Sequence, residues 1–203
     1  MSKRILVWDV PTRVFHWLMV LSFAGTFLTA ESERNRDIHV ALGYILLGLL
    51  VFRLLWGFIG TRYARFDSFL FGPSVVLAYL KSLVKRTPKH YVGHNPAGSV
   101  AIWLLLLLGA VSSVSGVLVY EDIGGDELIE VHDLVSYAML FVVAGHIVGV
   151  LLGSVMHREN LVRSMITGFK FDDQNDGVKQ SYLWLGIIML ISAAAFWFGS
   201  TLA

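Results

Sequence analysis

The sequence predicts an all-α integral membrane protein, and three observations carry that reading. Of its 203 residues 56% are hydrophobic and only 15% charged, with a mean hydropathy of +0.67. This composition lies outside the soluble globular range. Five apolar runs are long enough to cross a bilayer: Pro11–Ala30, Ile38–Gly60, Gly98–Tyr120, Val131–Val155 and Tyr182–Leu202. Histidines sit inside or at the edge of three of these runs, where an ionisable group is costly and marks function.

The first run begins with Pro11, suited to the opening turn of a helix because its missing N–H would be unpaired there. Asp9 and Arg13 interrupt the approach, so the run is expected to be retained rather than cleaved as a leader. It brings His16 one turn or so into the membrane. The second run starts with His39 and carries Arg53 fourteen residues later. Within the following loop, Ser74–Lys85 mixes apolar and basic residues at helical spacing and reads as a helix lying in the interface. GHNPAG, Gly93–Gly98, is a turn leading into the third run, where Gly109 and Gly116 permit close approach of a helix or flat ligand. The fourth run holds His132 and His146. The fifth has no ionisable residue. No long repeat or linker divides the chain, so a single membrane domain is expected over residues 1–203, with a core of about 7–170 and an added span at about 182–202.

Loop charge sets orientation, since basic residues gather on the cytoplasmic side. Lys3, Arg4 and Arg13 precede or open the first span; the second loop holds Arg62, Arg65, Lys81, Lys85, Arg86 and Lys89 against Asp67; the third is wholly acidic from Glu121 to Glu130. The expected topology puts the N-terminus and loops two and four inside, loops one and three outside, and the C-terminus in the periplasm of a bacterial inner membrane.

This topology gives each histidine a depth. His39 and His132 open their spans on the outside, while His16 and His146 lie toward the inside. His132 and His146, fourteen residues apart, rise about 21 Å along one helix and return to nearly the same face. Two levels follow, His39 with His132 and His16 with His146. A bare metal site normally takes three or four protein ligands. With no cysteine in the chain, thiolate and iron–sulfur sites, disulfides and covalent haem c are excluded. Two imidazoles on facing helices suit a planar macrocycle that supplies the other four nitrogens, which is bis-histidine haem b, twice. Gly43, Gly145 and Gly149 would make room for a ring. Arg53 either meets a haem propionate or a quinone or snorkels to the inner surface; Arg13 and Arg62 are similar candidates. His90, His94 and His157 fall in cytoplasmic loops and are expected to be solvated or structural.

PTRVFHW (Pro11–Trp17), IHVALGY (Ile38–Tyr44), GTRYARF (Gly60–Phe66) and the His132/His146 pair together resemble the di-haem b-type cytochrome subunit of nickel–iron hydrogenases. They also resemble the wider prokaryotic di-haem cytochrome b group that includes the membrane subunit of formate dehydrogenase. The resemblance spans about residues 7–170. It implies a four-helix haem-binding bundle that relays electrons between a periplasmic redox partner and the quinone pool, with His16 and His146 on the inner haem and His39 and His132 on the outer. It also implies a quinone near the inner haem, at the segment His94–Gly98 with Asn95 and Gly98 as contacts. The fifth C-terminal span lies outside that core.

The function expected is therefore transmembrane electron transfer, with quinone or quinol, membrane lipid, and a periplasmic c-type cytochrome or redox enzyme subunit as partners, and no nucleic acid. The acidic third loop suits a basic docking partner or simply a solvated loop. Two other readings are a free-standing haem oxidoreductase that oxidises superoxide and reduces quinone, and a histidine-based proton or ion transporter. The acidic outer loops oppose attraction of an anion, and the scarcity of intramembrane acids opposes a proton relay.

Overall fold

The computed structural model describes residues 3–173 and 176–201. Their order is a short strand β1 (Arg4–Leu6), α1 (Val10–Thr29), α2 (Arg36–Ile59), α3 (Pro73–Val84), α4 (Pro96–Tyr120), α5 (Gly125–His157), α6 (Leu161–Thr167), β2 (Phe169–Phe171) and α7 (Leu183–Thr201). The protein is an all-helical membrane protein. By length and composition four of the described helices can cross a membrane: α2 with its preceding turn, α4, α5 and α7. The 20-residue α1 is the least apolar of the long helices because Arg13 and His16 occupy its first half, although at 1.5 Å per residue it is about 30 Å long. Leu202, the last residue expected in the fifth span, lies outside the described residues.

Helix starts follow local chemistry. The Asp9 carboxylate accepts a hydrogen bond from the Thr12 N–H at 2.8 Å, and Pro11 occupies the first turn of α1. Asn95 caps α4 by accepting from the Gly98 N–H at 2.8 Å, with Pro96 next in line. The helix expected at Ser74–Lys85 is α3. One element differs. The fourth span was expected from Val131, but α5 begins at Gly125, so Asp126, Glu127 and Glu130 ride on its first turns rather than in a loop. Acids at a helix N-terminus face the positive end of the dipole, which favours the longer helix.

A small antiparallel pair joins β1, ahead of α1, to β2, between α6 and α7, with Ile5 opposite Lys170. Gly168 extends it: its carbonyl accepts from the Val7 and Trp8 N–H groups at 2.8 and 3.0 Å. Gly168 sits at φ +86°, and a Cβ there would lie 2.6 Å from the Trp8 carbonyl, so only glycine fits. Ile5, Val7, Trp8 and Tyr63 form the buried cluster beneath this cap.

In the bundle α1 packs on α2, α2 on α4, and α4 on α5, while α7 rests on α1 and α2. The backbone of α5 stands off α1 and α2; rings bridge the gap, with Phe27 and Tyr137 centroids 5.7 Å apart. That separation is what leaves space between the two halves of the bundle. Leu21, Leu28, Phe58, Phe141, Val155 and Ile191 are exposed on the exterior, as suits a lipid-facing surface.

Candidate functional site

At one level of the bundle His39, on the first turn of α2, faces His132, on the third turn of α5. Their ring centroids are 6.3 Å apart and the rings are nearly perpendicular, at 76°. Each imidazole is oriented by a backbone carbonyl. Nδ1 of His39 lies 3.0 Å from the Thr26 carbonyl, and Nδ1 of His132 lies 3.0 Å from the Ser112 carbonyl and 3.2 Å from Ser115 Oγ. A carbonyl only accepts, so Nδ1 carries the proton in both rings and Nε2 is left with a free lone pair. This is how ligating histidines are generally held, with the second nitrogen fixing tautomer and angle. Two metal–nitrogen bonds of about 2 Å each put the ring centres about 6 Å apart, in agreement with the observed separation.

Both rings line a cavity of about 510 Å³, together with α1, α2, α4 and α5 residues that include Phe23, Gly43, Gly109, Gly116 and Tyr137. Its size falls within the range of cofactor sites. Glycine is required at its wall: a Cβ on Gly116 would lie 2.9 Å from His132 Cε1. Gly43 faces open space in the cavity, whereas Gly145 and Gly149 are exposed on α5 and line no wall here. The donor set fits a b-type haem: two paired imidazoles, an apolar slot, and polar groups such as Arg36 in its lining.

At the opposite level His16 on α1 and His146 on α5 are close enough to interact electrostatically, and His16 Nδ1 is buried with no hydrogen-bond partner. An orphaned imidazole nitrogen in a bundle core is costly unless something binds the ring. Among the described residues no three His, Cys, Asp or Glu side chains converge as a metal site.

Around the inner pair Asp9 and Lys170 were not legible as site residues, whereas Arg53 was a candidate and His94 headed the segment expected near quinone. Asp9 is fully buried and also accepts from Trp56 Nε1 at 3.1 Å and Thr61 Oγ1 at 2.6 Å, tying the start of α1 to the end of α2. Arg53 does not snorkel outward. It is 4% exposed, its guanidinium carbon lying 4.9 Å from the Phe66 ring centre and 5.8 Å from that of Phe69. His94 is not solvated either: its ring packs on Phe69 at 4.5 Å and Trp8 at 4.7 Å, and Nδ1 is shut off from solvent. Burial first, and then the charges of Arg53 and Lys170, push His94 down to about 3, so it is neutral at ordinary pH. Lys170 is buried and pairs with Glu159 at 3.2 Å.

The remaining candidates separate. Arg13 donates to the Ile166 carbonyl at 2.6 Å. Arg62 is exposed beside Tyr63. Asn95 and Gly98 are engaged with each other in the α4 cap. The serines in SSVS, Ser112–Ser115, are a signal that sequence reading could have used, since small polar groups in an apolar span need a reason. Asp9 before Pro11 was legible as a helix start but not as a hub.

The family model described as prokaryotic cytochrome b561 matches residues 7–168. Curated relatives match most of the chain. The probable Ni/Fe-hydrogenase B-type cytochrome subunit of Azotobacter vinelandii is 29% identical, covering 85% of this chain and 91% of its own. That of Rhizobium leguminosarum bv. viciae is 25% identical, over 86% and 92%. The probable Ni/Fe-hydrogenase 1 B-type cytochrome subunit of Escherichia coli K12 is 23% identical, over 81% and 89%. No solved structure matches. Four-histidine bundle and family match together lead to one statement: the chain belongs to the prokaryotic cytochrome b561 family, whose members carry b-type haem and transfer electrons in the membrane.

Proposed function

We propose that this protein conducts electrons across a bacterial inner membrane through two b haems, one ligated by His39 and His132 toward the periplasm, the other by His16 and His146 toward the cytoplasm. The observation that carries this reading is the outer pair. Its centroid spacing of 6.3 Å would let both imidazoles hold one haem iron, and both rings are pinned through Nδ1. The inner pair follows from α5, on which His132 and His146 are separated by a rise of about 21 Å. When bound, each haem supplies a one-electron couple whose potential its axial ligands and surroundings set.

The protein's own residues do the rest. Thr26, Ser112 and Ser115 hold the outer imidazoles in the ligating tautomer. Apolar walls exclude water and keep the sites at low dielectric. The acids of α5's first turns, with Glu121 and Asp122, face the periplasm in this topology and offer a docking surface of negative charge. Because the relatives are named as hydrogenase cytochrome subunits, a periplasmic hydrogenase-type enzyme is the partner proposed first, ahead of a c-type cytochrome. Quinone exchanges electrons at the inner end, beside the turn that carries Asn95 and Gly98. With its N-terminus cytoplasmic, the bundle places a helical fifth span, α7, on the α1–α2 side, away from α5.

The test is a reduced-minus-oxidised spectrum and a haem assay on the purified chain. Two haems per chain with b-type α-bands support the reading; one haem or none overturns it.

A further inference from the structure

The inner end of the bundle holds more buried positive and donor groups than its acids can satisfy. Arg53 is always charged, yet its Nη1 has no hydrogen-bond partner. The acid near enough to interact with it is Asp9, and both Asp9 oxygens are already taken, Oδ1 by the Thr12 amide and Oδ2 by Trp56 and Thr61. The faces of Phe66 and Phe69 stabilise the guanidinium in part. They leave its edge without an acceptor. Two further buried donors flank the same aromatic pair and are also unpartnered: His94 Nδ1, its ring 4.5 Å from Phe69, and Trp103 Nε1, its ring 4.7 Å from Phe66. His94 in turn lies within electrostatic range of Arg53, His16 and His146. A buried guanidinium without its anion costs several kcal/mol. Three orphaned donors around one pair of rings mean that an acceptor belongs there.

We propose that Arg53 and His94 form the binding site for a propionate carboxylate of the inner haem, Arg53 as its charge partner and His94 as a neutral hydrogen-bond donor. The inference rests on ligation of that haem by His16 and His146. The chemistry required of the occupant is an anionic or strongly accepting oxygen that arrives with a ligand bound between those histidines, because among the described residues the acid near Arg53 is Asp9, whose oxygens are already engaged. Propionate meets this requirement with a full charge and a tether of fixed length. Arg53 then sets the inner couple: a cation held beside the carboxylate offsets its negative charge and favours the reduced iron.

The experiment uses the full chain purified in detergent and stripped of quinone, with Arg53→Gln, Arg53→Lys and His94→Leu variants. Haem per chain and both midpoint potentials are measured by redox titration. Arg53→Gln is expected to retain two haems and to lower the reduction constant of the inner couple about tenfold, equal to 59 mV for a one-electron couple, leaving the outer couple unmoved. Arg53→Lys moves it by less than a third of that, and His94→Leu moves it in the same direction by a smaller amount. If Arg53→Gln does not assemble, the other two variants decide. An inner potential that is unmoved in all assembled variants overturns the proposal, as does a shift that appears only when quinone is restored, which would assign the donors to quinone. Failure of the parent reading looks different: His16→Ala would keep both haems.

Discussion

Gly116→Ala is a small change with a calculable consequence. The added Cβ would sit 2.9 Å from His132 Cε1, 3.3 Å from Nδ1 and 3.8 Å from Nε2. Ordinary van der Waals contact begins near 3.4 Å, so the ring must retreat by about half an ångström, while metal–ligand distances tolerate only about 0.2 Å. The retreat is opposed by the hydrogen bonds from His132 Nδ1 to Ser112 and Ser115 at 3.0 and 3.2 Å. The helix cannot give way easily either, since α4 and α5 are packed along their length. Disturbing the orientation of a ligating histidine generally weakens metal binding by about 10- to 100-fold, or about 1.4–2.7 kcal/mol. Gly116→Ala should therefore release or shift the outer haem and leave the inner one intact, read as haem per chain and as two resolved potentials. Gly48→Ala is the control. Its Cβ meets nothing within 4 Å, and Gly48 lines no wall of the outer cavity. A Gly116→Ala protein with two haems at unmoved potentials would refute the argument.

Asp9→Ala removes the α1 cap and leaves Trp56 and Thr61 without their buried acceptor; a cost of about 3–5 kcal/mol is expected, measured by thermal unfolding in detergent, with Asp9→Asn losing less. Glu159→Gln strands the buried Lys170 ammonium and should cost about 2 kcal/mol, most of it recovered in the double variant with Lys170→Met, so a double-mutant cycle reads the coupling. Burial holds Lys170 below its ordinary 10.5 despite Glu159; between those values the unfolded chain binds the extra proton, stability rises with pH, and Lys170→Met should abolish that rise. His94 has the acid-side counterpart. Its value falls from 6.5 to about 3 on folding, so stability declines as pH drops from 6.5 toward 3, and His94→Gln should make that decline shallower in acid-unfolding curves.

Helices and histidines were legible because both leave local marks. Apolar runs gave α1, α2, α4, α5 and α7 to within a few residues, and Pro11 and Asn95-Pro96 marked two starts. The start of α5 was misplaced because its first turns are acidic, and hydropathy reads the membrane boundary rather than the end of hydrogen bonding. Depth matching paired His39 with His132, which the structure brings together, because a transmembrane helix converts sequence interval into height. Lateral neighbours carry no such mark. Nothing local tells that Asp9 will meet Trp56 and Thr61 some fifty residues away, or that Arg4–Leu6 will pair with a strand beginning at Phe169. Arg53, inside the second span, was expected either to meet a propionate or quinone or to snorkel, and His94, in a loop, to be solvated or structural. Their burial depends on how Phe66–Phe69 folds back over α2, a tertiary fact without periodicity.

Haem content in the four single variants His16→Ala, His39→Ala, His132→Ala and His146→Ala tests the account most directly. Each should fall from two haems to one, with His39→Ala and His132→Ala losing the same spectral component and His16→Ala and His146→Ala losing the other. A variant that keeps both haems, or partners that lose different components, would contradict it.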